Sequence, residues 1–170
     1  MIYDVTVPQF VRMLQNLDKF FDKAIQHAEA KKYDVNLLLH TRLAIDQFPL
    51  VRQVQIACDT AKFAGARLAA KEAPAHADTE TTVAELRSRI ASVIAWLGAL
   101  TEADFAGAAT RVITTPRWGT KTLTGQEYAL HHAIPNFYFH VATSYALLRH
   151  NGVDLGKMDY LGPMPFRDPG

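Results

Sequence analysis

The chain has 170 residues, with 18 Lys and Arg against 17 Asp and Glu, 49% hydrophobic and 21% charged residues. That is the make-up of one ordinary globular domain over 1–170, with enough apolar residues to build a core without a disulfide or structural metal. A formal charge of +1 removes the electrostatic case for nucleic acid, which needs an excess and a clustering of Lys and Arg.

Before the first helix, MIYDVTVPQF carries Asp4 and no basic start, so it does not read as a signal peptide. No apolar run reaches the roughly 18 residues of a membrane span, and no repeat recurs at a period of about 20–50 residues. Phe10, Leu14, Leu17, Phe21, Ala24 and Ala28 alternate in steps of four and three, which predicts a first helix. Thr6 and Gln9 form a capping box for it, and Pro8 sits in its first turn. From Lys31 to Phe48 the periodicity weakens; NLLLHTRLAIDQF is apolar enough to lie on the core but fits no regular element. A second helix opens at Pro49, with the stripe Leu50, Val54, Ala57, Ala61, Ala64 and Leu68. Its small residues, including Gly65, invite a close neighbour. APAHADTE around Pro74 is a loop. Thr82 and Glu85 cap a third helix that repeats the pattern through Val83, Leu86, Ile90, Val93 and Leu97 and ends near Gly98–Thr101. RVITTPRWGTKTL, with β-branched residues around a Pro, Trp and Gly turn, predicts a small hairpin. Thr124 and Glu127 then cap a fourth helix running to Asn151 and Gly152, with a kink between His131 and Pro135 where proline removes a donor. The tail 153–170 is expected to be irregular. Four amphipathic helices with a hairpin before the last make an all-α four-helix bundle, whose functional sites lie between facing helices.

On the fourth helix His132, Asn136 and His140 recur at steps of four and share a face beside the apolar stripe. At about 1.5 Å per residue the two histidines lie roughly 12 Å apart along the axis, too far to hold one ion together. A chelating pair must then include Asn136, whose neutral amide is a weak ligand for zinc or nickel. Buried, hydrogen-bonded histidines and no resident metal are therefore expected. On the second helix Arg52, Gln55, Asp59 and Lys62 share another face. Either they form a solvated charged surface, or Gln55 and Asp59 turn inward to meet Asn136 or His140, where Asp59 orients a histidine or serves as a ligand itself. Arg42 and Asp46 pair with each other or cap the second helix, and His27, His76, His131 and His150 have no recognisable partners. The lone Cys58 reads as a small buried hydrophobe rather than a nucleophile and fits a reducing, cytoplasmic setting. G-x-G-x-x-G, P-loop, H-E-x-x-H and C-x-x-C patterns are absent from the sequence, which weighs against nucleotide enzymes and standard zinc proteases.

The segments RLAIDQFPLVRQVQIACDTAKFAGARLA (Arg42 to Ala69), LTEADF (Leu100 to Phe105) and TLTGQEYALHHAIPNFYFHVATSYALLRHNGVDLGKMDYLG (Thr122 to Gly162) resemble the bacterial DUF1993 family. That family is grouped with the DinB-like, or YfiT-like, bundles. The resemblance implies an up-down-down-up four-helix bundle, often a homodimer, with a pocket near the second and fourth helices. Many DinB-like proteins hold a divalent metal on three histidines, one on the second helix and an H-x-x-x-H pair on the fourth, and some are thiol-dependent transferases or isomerases. Here Asn136 and His140 match the pair and Asp59 matches the second-helix position, leaving one histidine of three.

Two functions follow. The first is a small-molecule-binding homodimer with a degenerate metal site, its inter-helix pocket keeping Asp59, Gln55, Asn136, His140 and His132 as hydrogen-bonding groups. The alternative is a divalent-metal-dependent (thiol) transferase or hydrolase, in which zinc, nickel or manganese on His140, Asp59 and Asn136 activates water or a thiol.

Overall fold

A computed structural model describes residues 2–168, and it is mostly helical. The long helices are α1 (Ile2–Lys31), α2 (Leu50–Ala69) and α3 (Val83–Gly98). A further helical run joins α4 (Gly125–Tyr128), a π-helical turn (Ala129–Ala133) and α5 (Ile134–His150). α2 packs on α5 and α3, and α1 packs on α3 and α5. Around the core the order is thus α1, α3, α2, α5. Phe10, Leu14, Phe20 and Phe21 of α1 meet Val54, Ala61 and Leu68 of α2 in the interior, all fully buried. The small residues of α2 do admit a close neighbour: a Cβ built on Gly65 would lie 2.9 Å from side-chain atoms of both Leu97 and Leu100.

The capping boxes of Thr82 with Glu85 and of Thr124 with Glu127 are present. Thr6 with Gln9 is not one. α1 begins at Ile2, four residues before Thr6, and the Thr6 hydroxyl donates back to the carbonyl of Ile2 at 2.6 Å, a use of the same short side chain that satisfies it inside a helix. Pro8 accordingly lies within α1. In the stretch without clear period, Val35–His40 forms a 3₁₀ helix capped by Asp34, which explains the missing 3.6-residue repeat. Arg42 donates to the carbonyl of Gln47 rather than pairing with Asp46.

The expected hairpin joins β1 (Val112–Ile113) antiparallel to β2 (Leu123–Thr124), with Val112 opposite Thr124 and a 3₁₀ turn, Pro116–Trp118, at its tip. The kink ahead of Pro135 takes the form of the π turn: Ile134 N–H donates to the carbonyl of Ala129, five residues back. Pro135 has no N–H to offer His131, and widening one turn absorbs that loss. The tail departs from expectation. α6 (Lys157–Leu161) forms there and packs on α1, where Lys23 pairs with Asp159 at 2.8 Å and the buried Asn16 amide donates to the Tyr160 carbonyl at 3.0 Å. Among the described residues no helix is long and apolar enough to cross a membrane.

Candidate functional site

A cavity of about 460 Å³ opens between α2 and the last helical run, beneath the hairpin tip. His132, Asn136 and His140 reach it from the last run, Asp59 and Thr60 from α2. The aromatic walls are Phe48, Phe63, Trp118 and Tyr128, and three arginines, Arg52, Arg67 and Arg117, line it as well. Gln55 does not line it.

His140 is 6% exposed, and its Nδ1 lies 2.6 Å from Gln53 Oε1. Gln53 Nε2 donates to the carbonyl of Phe48 at 3.0 Å, which fixes the amide so that its oxygen faces the ring. An oxygen can only accept, so Nδ1 carries the proton and Nε2 keeps its lone pair. Burial and then the Arg52 charge push the His140 pKa down to about 4, so the ring is neutral at pH 7. His132 stacks on Tyr128, with ring centroids 5.6 Å apart, and meets Trp118 edge-on at 5.5 Å. Burial, followed by the Arg67 charge, holds its pKa below the usual histidine value. Asn136 donates through Nδ2 to Thr60 Oγ1 at 2.7 Å.

The inward partners of the last helical run are thus Gln53 and Thr60, and the contacts expected of Gln55 and Asp59 with Asn136 or His140 are not made. The reason lies on the other flank of α2. Arg89 of α3, with a side chain 1% exposed, donates to Asp59 at 2.6 Å, Asp78 at 2.6 Å and Glu80 at 2.9 Å. Lys62, itself buried, pairs with Asp59 at 2.9 Å and donates to His76 Nδ1 at 2.8 Å. Gln55 donates to Glu80 at 2.8 Å, and Arg52 reaches Asp78 at 2.5 Å. Arg52, Gln55, Asp59 and Lys62 therefore bind α3 and the loop before it; Arg52 and Asp59 still border the cavity, but no hydrogen bond joins the four to Asn136 or His140 among the described residues. His76 has a partner in Lys62 that its sequence context did not announce.

A metal carried by His140, Asp59 and Asn136 fits these surroundings poorly. Asp59 is already neutralised by Lys62 and Arg89, and the Asn136 amide is spent in part on Thr60. The Arg52 charge that disfavours protonation of His140 opposes any cation on the same ring. One imidazole and one neutral amide make a weak donor set for zinc or nickel. Among the described residues no group of three or more His, Cys, Asp and Glu is arranged to hold a metal ion. Cys58 is fully buried, and desolvation pushes its thiol up to about 12, so it is a protonated core residue at pH 7.

Phe63, Arg67, Trp118 and Tyr128 escaped the sequence reading. The α2 members had a signal: Arg52, Ile56, Asp59, Phe63 and Arg67 follow one another at steps of four, three, four and four, one continuous helix face.

The model of a family described as a domain of unknown function (DUF1993) matches residues 2–161. A crystal structure of a DinB family member protein from Shewanella denitrificans is 60% identical, covers 99% of this chain and 96% of its own, and superposes with a TM-score of 0.96. The comparison with curated proteins finds no match. With the family model spanning nearly all of its length, the chain belongs to the DUF1993 family.

Proposed function

We propose that the protein binds a small molecule in the pocket between α2 and the last helical run, through hydrogen bonds and aromatic contact rather than a resident metal. The observation that carries this reading is the lining: two neutral histidines, an asparagine and a threonine face one cavity of about 460 Å³ with four aromatic walls. A mostly apolar cleft of that size with a few fixed polar groups suits a small organic ligand. In this reading residues 1–170 form one domain, the four long helices make an up-down-down-up bundle, and the protein is a cytoplasmic homodimer that binds no nucleic acid. The packing order α1, α3, α2, α5 supports the bundle. Exposed Leu43, Ile45 and Phe48, the isoleucine 96% accessible, support a self-association surface.

A fragment screen by saturation-transfer NMR, paired with elemental analysis of protein purified without a histidine tag, tests the proposal. Fragments should bind the natural chain and be lost in Ile56→Trp, which fills the cavity. A stoichiometric metal that disappears in His140→Ala would overturn this reading in favour of a metal-dependent transferase or hydrolase. A screen with no binder sensitive to Ile56→Trp would overturn the pocket itself.

A further inference from the structure

The charges around the pocket do not balance, and the imbalance is specific in place. Of the lining residues, Arg52, Arg67 and Arg117 are cationic and Asp59 alone is anionic. Arg52 is committed to Asp78, and Asp59 to Lys62 and Arg89. Arg67 is different. Its guanidinium donates to Tyr128 Oη at 2.9 Å and lies over the rings of Phe63, at 5.1 Å, and Tyr128, at 5.7 Å, yet among the described residues it has no carboxylate partner. A guanidinium has five N–H donors, and only one is spent here. Half-buried against two aromatic faces, it is poorly hydrated and fixed in orientation, the arrangement in which arginine takes a carboxylate or phosphate oxygen most effectively. His132, whose pKa is lowered by burial and then by the Arg67 charge, is kept neutral and supplies no further charge of its own.

Resting on the pocket reading above, we propose that the ligand is a small organic anion with a flat apolar body. Its acidic group is held by Arg67 beside Tyr128 Oη, and its body lies between Phe63 and Trp118. Thr60 on α2 and Asn136 on α5, whose Oδ1 is not used by the Thr60 contact, stand in the same cavity for a polar substituent. An unpaired cation in a partly desolvated cleft favours an anion and rejects an amine by the same field. The same field opposes the divalent ion that the wider superfamily would place nearby.

Isothermal titration calorimetry on the full chain with benzoate, phenyl phosphate, benzamide and benzylamine tests this assignment. Benzoate or phenyl phosphate should bind, more weakly as ionic strength rises, while benzamide and benzylamine bind at least about tenfold more weakly. The better of the two anions tells whether the group is planar or tetrahedral. Arg67→Gln should cost at least about tenfold in anion affinity and leave benzamide unaffected, with Arg67→Lys intermediate. Should Arg67→Gln fail to fold, the salt dependence and the neutral-to-anion ratio in the natural chain decide the matter. Benzamide binding as tightly as benzoate, or anion affinity unchanged in Arg67→Gln, overturns the anion assignment and leaves the pocket standing. Binding of none of the four probes, together with no NMR fragment displaced by Ile56→Trp, removes both.

Discussion

His140 couples the site to pH in a direction its environment dictates. Its folded pKa of about 4 lies below the ordinary value of 6.5, because burial and Arg52 disfavour the charged ring. As pH falls, the unfolded chain therefore takes up the proton first. The stability contributed by the neutral buried ring is intact above pH of about 6.5 and is lost as pH falls toward 4, to a total of about 3 kcal/mol. His132 shifts in the same direction and adds to the loss. Urea midpoints measured at pH 7.5, 6, 5 and 4 should fall less steeply in His140→Gln than in the natural chain, since glutamine keeps a donor for Gln53 and cannot titrate. Parallel curves for the two proteins would remove His140 as the source. The tautomer could not be read from the sequence, because it depends on Gln53, 87 residues away, and on the Phe48 carbonyl that fixes the Gln53 amide.

At the level of elements, close backbone approach matters as much as apolar stripes. Gly125 opens α4 where the chain passes under the hairpin base: a Cβ there would overlap the carbonyl oxygen of Ala108, while Gln126 N–H donates to the Ala109 carbonyl at 3.0 Å. Two backbones held by hydrogen bonds cannot give way as a side chain can. Gly125→Ala should cost about 2 kcal/mol or more. Gly98, at the end of α3, has nothing within 4 Å of such a Cβ, and Gly98→Ala should gain about 0.5 kcal/mol by restricting the unfolded chain. Thermal unfolding of the two variants side by side checks the contrast, and equal effects would refute it. The π turn is a second case. It shifts the helical register between His132 and Asn136, so their sharing of one cavity depends on packing over α2 as well as on the spacing of four.

Over the whole molecule, Arg89 ties the loop between α2 and α3 to both helices. Burial alone would raise the pKa of Asp78 and Glu80, but hydrogen bonds from Arg52 and then Arg89 hold Asp78, and from Arg89 with the backbone and Gln55 hold Glu80, below the usual carboxylate values. Removing the guanidinium leaves Asp59 with Lys62 alone and strips Glu80 of its cation. Arg89→Met should destabilise the protein by about 3 kcal/mol, toward the lower end for a broken buried pair because Asp59 and Asp78 keep contact with water. Urea unfolding at pH 7 measures the loss. A change below about 1 kcal/mol would mean the loop is held by other contacts. The same cluster explains why α2's charged face was ambiguous in sequence. Arg52, Gln55, Asp59 and Lys62 have the spacing of a solvated surface, yet their partners on α3 and its approach loop lie 14 to 34 residues further along the chain.

Periodicity and capping, which act over three or four residues, were enough to determine α2, α3, the hairpin and the last helical run from the sequence alone. The resemblance carried by PNFYFH and the RHNGV ending was enough for the family. Where the governing contact is distant, the sequence was silent. α6 exists because α1 offers Asn16 and Lys23 to it, and the turn of α1 ahead of Thr6 is held where Tyr3 packs edge-on against Phe105. Asp59 was nominated as a neighbour of His140 by helix geometry, but the competition of Arg89 and Lys62 for its carboxylate was decided only when α3 folded against α2. The pocket's aromatic roof likewise waited on the hairpin, whose Trp118 reaches a cavity built by helices far from it in the chain.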